Sequence, residues 1–103
     1  MTKRNNSYKI QLEELTLKDG SSPGGKLEFG FQNHDNILDL VDLIKDKALF
    51  QDKNENIEFL IGLKLFSEVM LRNKNNPMFE EMLPEFGKFM KKFKSQVKTA
   101  ETA

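Results

Sequence analysis

Apolar residues alternate with polar ones at the start of the chain and fall at helical spacing from residue 37 onward, which predicts a hairpin followed by helices. Tyr8, Ile10 and Leu12 alternate with Lys9, Gln11 and Glu13. At Glu13-Glu14 the phase slips by one so that Leu15 and Leu17 continue it, the signature of a strand with a bulge. Residues 18–25 (Lys-Asp-Gly-Ser-Ser-Pro-Gly-Gly) are turn chemistry throughout, and Leu27, Phe29 and Phe31 then resume the two-residue period. A lone two-stranded sheet is marginal in water, so its Leu/Phe face must be covered by helices or extended by another chain.

Asn33 offers an N-cap for a first helix whose apolar stripe is Ile37, Val41, Ile44 and Ala48, with Leu40 beside it. Asn54 offers the next cap, opening a helix to about Arg72 with Phe59, Leu63, Phe66 and Met70 on one side. Leu60, Ile61, Leu65 and Leu71 occupy other sides, leaving Lys64, Glu68 and Arg72 as a narrow polar seam. A helix apolar over most of its circumference is expected at the hub. Asn76-Pro77 reads as cap and first helical position for Met78 to Leu83, after which Pro84 kinks or restarts the helix. Phe86, Phe89, Met90, Phe93 and Val97 form the last apolar face. The predicted fold is therefore α+β, an N-terminal antiparallel β-hairpin packed on three to four α-helices in ββααα order. One compact domain is expected over residues 1–98, with the hairpin at about 7–32, helices at about 34–98 and a frayed tail at 99–103.

Charge narrows the function classes. Sixteen basic and sixteen acidic residues cancel, so no whole-molecule field favours nucleic acid or an anionic membrane. The charge is polarised, however: residues 35–60 hold seven acids against three bases, whereas 88–103 hold five lysines against one acid. Cysteine is absent, which removes disulfides, thiolate chemistry and cysteine-based metal sites and agrees with a reducing compartment. No apolar run follows the basic residues at the start and no stretch reaches membrane-spanning length, so a cytoplasmic location is expected.

Four groups of residues invite a chemical reading. Gly20 to Lys26 fits the Gly-x4-Gly-Lys frame of a phosphate-binding loop, but Leu27 stands where the metal-binding hydroxyl belongs and a strand follows where a helix is required. A hairpin turn is the simpler account. His34 is the single imidazole, flanked by Asn33 and Asp35, so a general base or metal ligand is conceivable there, against a surface residue in a capping turn. One histidine does not supply the ligand sets that zinc enzymes use. Asp35, Asp39, Asp42 and Asp46 share one stripe if the first helix spans them, either as a solvated face or as a docking stripe for a basic partner. Lys88, Lys91, Lys92, Lys94 and Lys98 spread over the polar side of the last helix and suit an anionic partner, although lysines near a helix C-terminus commonly serve solubility alone. No nucleic-acid module and no aromatic on that basic face accompany them.

With Asn33-His34-Asp35-Asn36-Ile37, the run Gly62 to Leu71 and Asn76-Pro77-Met78-Phe79-Glu80-Glu81 taken together, the chain resembles a small bacterial family catalogued as domain of unknown function 3861. The likeness covers residues 8 to 94 and departs in the Gly/Ser/Pro-rich hairpin loop and the tail. It implies no activity, substrate, cofactor or site residue. The leading expectation is thus a noncatalytic protein-interaction module, binding an unknown protein or a second copy of itself through an exposed strand edge, with no cofactor and no membrane. The alternatives are a small enzyme or ligand-binding domain with a cleft near His34, and nucleic-acid binding through the lysine face.

Overall fold

The computed structural model describes residues 4–101. An antiparallel hairpin of β1 (Asn6–Glu13) and β2 (Lys26–Asn33) is followed by helices α1 (Ile37–Ile44), α2 (Lys53–Arg72) and α3 (Met82–Thr99), with a 3-10 turn at Pro77–Phe79. The order is ββααα, an α+β fold. The chain gathers into two compact units, a hairpin unit ending at Asp35 and a helical unit beginning at Asn36.

In the hairpin unit the register runs without interruption from Asn6 opposite Asn33 to Glu13 opposite Lys26. Side chains alternate across the sheet, so Tyr8 and Phe31, Ile10 and Phe29, and Leu12 and Leu27 form three directly opposed apolar pairs on one face. The Tyr8 and Phe31 rings lie 5.4 Å apart. The bulge expected at Glu13-Glu14 is absent and Leu15 and Leu17 leave the strand. The reason is local. The Glu14 amide still donates to the Gly25 carbonyl at 2.9 Å, while its carboxylate turns across the loop and accepts the Gly24 and Gly25 amides at 3.2 and 2.6 Å. That loop is pinned a second time where Asp19 accepts the Ser21 amide and hydroxyl, at 3.0 and 2.7 Å. Gly20 closes the turn begun at Leu17 with a φ of 81°, a conformation that glycine adopts without strain.

In the helical unit, α1 is eight residues long, too short to persist alone, and it depends on the burial of Ile37 and Ile44. Its cap is Asn36, whose side chain accepts the Asp39 amide at 3.1 Å, not Asn33 as the sequence suggested. Asn33 ends β2 instead, and its Oδ1 is engaged by the Asp35 amide at 3.0 Å, so the start of the helix moves one turn downstream. Ala48 consequently lies beyond α1 in the corner that leads to α2. At that corner Asn56, with no exposed surface, donates its side-chain amide to the carbonyls of Ile44 and Lys47, both at 2.8 Å. These carbonyls stand at and just beyond the C-terminus of α1, where each also accepts one backbone amide, Ile44 from Lys47 at 3.0 Å and Lys47 from Leu49 at 2.9 Å, so Asn56 supplies the second donor of each.

Asp52, not Asn54, caps α2, its carboxylate accepting the Asn54 amide at 2.9 Å. Asn56, Leu60, Leu63 and Met70 form the buried row of α2. Beside it Phe59 meets Phe93 and Phe89 of α3 at ring separations of 5.3 and 6.2 Å, and Phe66 meets Phe86 at 6.0 Å and Phe79 at 6.3 Å. Residues early in α2 thus contact residues late in α3, and the two helices run antiparallel through a ladder of edge-on rings, each pair contributing about 1 kcal/mol beyond its burial. The expected helix from Met78 to Leu83 is reduced to the 3-10 turn, capped by Asn76 through the Met78 amide at 3.0 Å. Pro84 falls in the first turn of α3, where its missing N–H breaks no helical bond. The α2 circumference is covered on only part of its girth, since Phe66, Val69 and Leu71 retain substantial exposure. The last described residues are tied back: Ala48 donates to the Glu101 carbonyl at 2.8 Å and Lys47 Nζ to that of Ala100 at 3.5 Å. Residues 102–103 of the expected tail lie outside the described residues.

Three outcomes follow for folding. Replacing Asn56 with Ala removes one of the two donors that each of the Ile44 and Lys47 carbonyls accepts, so denaturant unfolding should report a loss of about 1–3 kcal/mol, and Asn56→Asp, acceptor-only, should lose more. A Cβ on Gly25 would stand 2.7 Å from the Glu14 carboxylate. Gly25→Ala and Glu14→Ala should each therefore speed exchange of the Gly24 amide, and the double variant should exchange no faster than either single one. The Asp19 pKa lies below its ordinary value because the Ser21 hydroxyl, and then the Ser21 amide, donate to the carboxylate. A lowered folded-state pKa means that this local order is complete above the unfolded-state value and is lost as pH falls through the lower one. The Ser21 amide resonance should titrate with a midpoint below that of an unperturbed aspartate, and Asp19→Asn should abolish that titration.

Candidate functional site

The polar turn that closes the hairpin is built on buried Asn33. Tyr8 donates its hydroxyl to the Asp35 carbonyl at 3.1 Å, and Asn6 donates its side-chain amide to the Asn33 carbonyl at 3.5 Å. These bonds hold the backbone on either side of His34, whose own ring is exposed, with Nε2 3.5 Å from Asp35 Oδ2. The pair joins an exposed imidazole to a part-buried carboxylate. Among the described residues no group of three or more His, Cys, Asp or Glu side chains is placed to hold a metal ion.

The four aspartates do not share one helix. Asp35 precedes the α1 cap and Asp46 follows its C-terminus, leaving Asp39 and Asp42 on α1 itself. The sequence stripe presumed a helix starting beside Asn33, and the shift of the cap to Asn36 divides it. Asp42 accepts Lys45 Nζ at 3.1 Å, which, with the charges of Asp42 and Asp46, raises the Lys45 pKa. Lys88, Lys91, Lys92 and Lys98 all stand exposed on α3, and Lys88 donates to Glu85 at 3.3 Å. In the glycine loop the place a phosphate would take against the Gly24 and Gly25 amides is filled by the Glu14 carboxylate.

The helical unit contains a feature that no sequence motif announced. A cavity of about 350 Å³ opens between α1, α2 and α3, walled by Leu40, Leu43, Leu60, Met90, Phe93 and Val97. Four lysines contribute to its lining: Lys47 from the corner after α1, Lys64 from α2, and Lys94 and Lys98 from α3. No acid lines it. The arrangement follows from helical geometry. Phe93 and Val97 are one turn apart on the face of α3 turned to the cavity, and Lys94 and Lys98, the next residue after each, form the parallel row about 100° around the helix. Lys94 and Lys98 are the members of the predicted lysine face that reach this cavity. Lys47 and Lys64 could not be assigned to it from sequence, because three stretches of chain apart in order have to converge before the lysines become neighbours.

A second surface belongs to the hairpin. Of its three apolar pairs, Leu12, Leu27 and Phe29 retain 64, 56 and 41% of their surface exposed. The polar face carries Lys9 paired with Glu28 at 2.8 Å. The sheet has two strands, so each of them has one edge that pairs with no other strand among the described residues.

No helix of the described residues is long and apolar enough to cross a membrane. No curated protein matches the chain. A crystallised protein of unknown function from Pectobacterium atrosepticum is similar over 90% of this chain and 100% of its own, with 30% identity and a TM-score of 0.78. The family described as a domain of unknown function with a solved structure, DUF3861, matches residues 6–95, spanning both the hairpin and the three helices. The chain belongs to that family.

Proposed function

We propose that the domain is a noncatalytic interaction module that pairs with a second copy of itself through the outer edge of β1. The observation that carries this reading is the outer edge of β1, which pairs with no other strand among the described residues in a sheet of two strands. Extension by another chain is the remedy such sheets use.

The register supports a self-complementary edge. Because the Glu14 amide donates to Gly25, the even-numbered positions of β1 face β2 in hydrogen-bonded pairs. Ser7, Lys9, Gln11 and Glu13 then direct their backbone groups to the outer edge. An antiparallel second copy centred on Gln11 sets Lys9 opposite Glu13 twice, and Ile10 opposite Leu12 on the apolar face. Opposed charges and continued apolar rows favour that register over its neighbours. The four-stranded sheet so formed doubles the apolar face and leaves β2 at its margins.

Sedimentation across the micromolar range should show a dimer. Gln11→Pro removes an outward amide while sparing the bonds to β2, and Lys9→Glu sets like charges opposite each other. Both variants should sediment as monomers with unchanged circular dichroism. A wild-type chain that stays monomeric throughout that range refutes the pairing.

A further inference from the structure

We infer that the lysine-lined cavity of the helical unit is a binding site for a medium-chain carboxylate, with the alkyl tail against the apolar walls and the carboxylate among the lysines. The inference is independent of the hairpin pairing, since every lining residue belongs to the helical unit.

Size, lining and charge select this class together. The volume of about 350 Å³ lies at the lower end of the range for small-molecule sites. At roughly 30 Å³ for a group the size of a methylene, that space holds a tail of roughly ten carbons. An α-helix about 10 Å across with its side chains does not enter such a space, so an acidic helix is the poorer occupant. The walls are aliphatic and aromatic, with Met90 among them, a flexible side chain that adapts to a chain of variable length. They offer no array of donors and acceptors for a polar metabolite.

The charge is one-sided. Lys47, Lys64, Lys94 and Lys98 come from three separate stretches of chain, and among the described residues no Asp or Glu lines the cavity. Lys47 reaches the Ala100 carbonyl, whereas Lys94 and Lys98 make no hydrogen bond or ion pair among the described residues. An anion at the mouth meets Lys94 and Lys98 and accepts charge-assisted hydrogen bonds, while its tail leaves water. A neutral alcohol of the same length gains only the second term.

Isothermal titration of the full chain with hexanoate, octanoate and decanoate, each below its micelle concentration, tests the site. Binding should be saturable with one carboxylate per chain and tighten about fourfold for each added methylene while the tail fits. Decanol should bind at least tenfold more weakly than decanoate. Lys94→Glu/Lys98→Glu, confined to the exposed surface, should cost at least tenfold, and Val97→Trp should abolish binding by filling the cavity. Amide shifts on titration should centre on Leu43, Phe93 and Val97. Absence of saturable decanoate binding by the folded chain, equal affinity for decanol, or shifts confined to the hairpin would overturn the assignment. An unchanged affinity in the double lysine variant would do the same.

Discussion

The helical unit depends on one buried amide. Asn56 ties the end of α1 and the residue three positions beyond it to the first turns of α2, through bonds to the Ile44 and Lys47 carbonyls. Each carbonyl already accepts one backbone amide, and Asn56 adds the second donor where low dielectric strengthens the bond. The arrangement carries a cost even as it stands, because Asn56 Oδ1 is buried without a hydrogen-bond partner. The two carbonyls that Asn56 holds belong to a residue in the wall and a residue at the mouth of the cavity. Leu60, one turn further along α2, supplies the opposing wall. The same corner receives the chain end, through Ala48 to Glu101 and Lys47 to Ala100, which fixes the last turn of α3 beside it. Asn56 and the two bonds to the chain end together hold the corner at which the three cavity-forming helices meet.

The two units meet the demand for apolar burial in different ways. In the helical unit, α2 and α3 interlock their phenylalanines along their length, and edge-on packing lets rings from antiparallel helices fill the space between two cylinders. The hairpin has no comparable internal solution. Its three opposed pairs pack within the plane of the sheet, and Leu12, Leu27 and Phe29 keep much of their surface exposed. Its loop is correspondingly held by polar devices, the Glu14 carboxylate on two glycine amides and Asp19 on Ser21.

Legibility in the sequence followed the range of the interactions. The two-residue period around Ile10 and Phe29 identified both strands, because alternation is imposed by the backbone of the strand itself. The row Phe86, Phe89, Met90, Phe93 and Val97 identified the inner face of α3 for the same reason, and Asn76-Pro77 marked a capped turn. Competition between similar residues was harder to read. Asn33 and Asn36 are both good caps, and only the three-dimensional turn at Asp35 shows that the first is already committed. Asn56 drew no reading from the apolar period, although an amide one turn before Leu60 on the same face was a signal of a buried polar group. The Glu13-Glu14 phase slip was read as a bulge because sequence pattern does not reveal that the second glutamate folds back onto glycine amides eleven residues away.

The cavity lay beyond sequence reading for a more general reason. A net charge of zero and an acidic run followed by a basic one suggest two broad faces of opposite sign. Helical geometry separates those charges in another way. On α1, Leu40 and Ile44 turn toward the cavity, and Asp42, half a turn from Leu40, projects to the far side, where it engages Lys45. The acids of the first helix are thereby kept from the lysines that converge from the corner, α2 and α3. A chain with no net charge thus presents an apolar opening lined by charges of one sign, and short-range attraction at that opening survives screening that would erase a whole-molecule field.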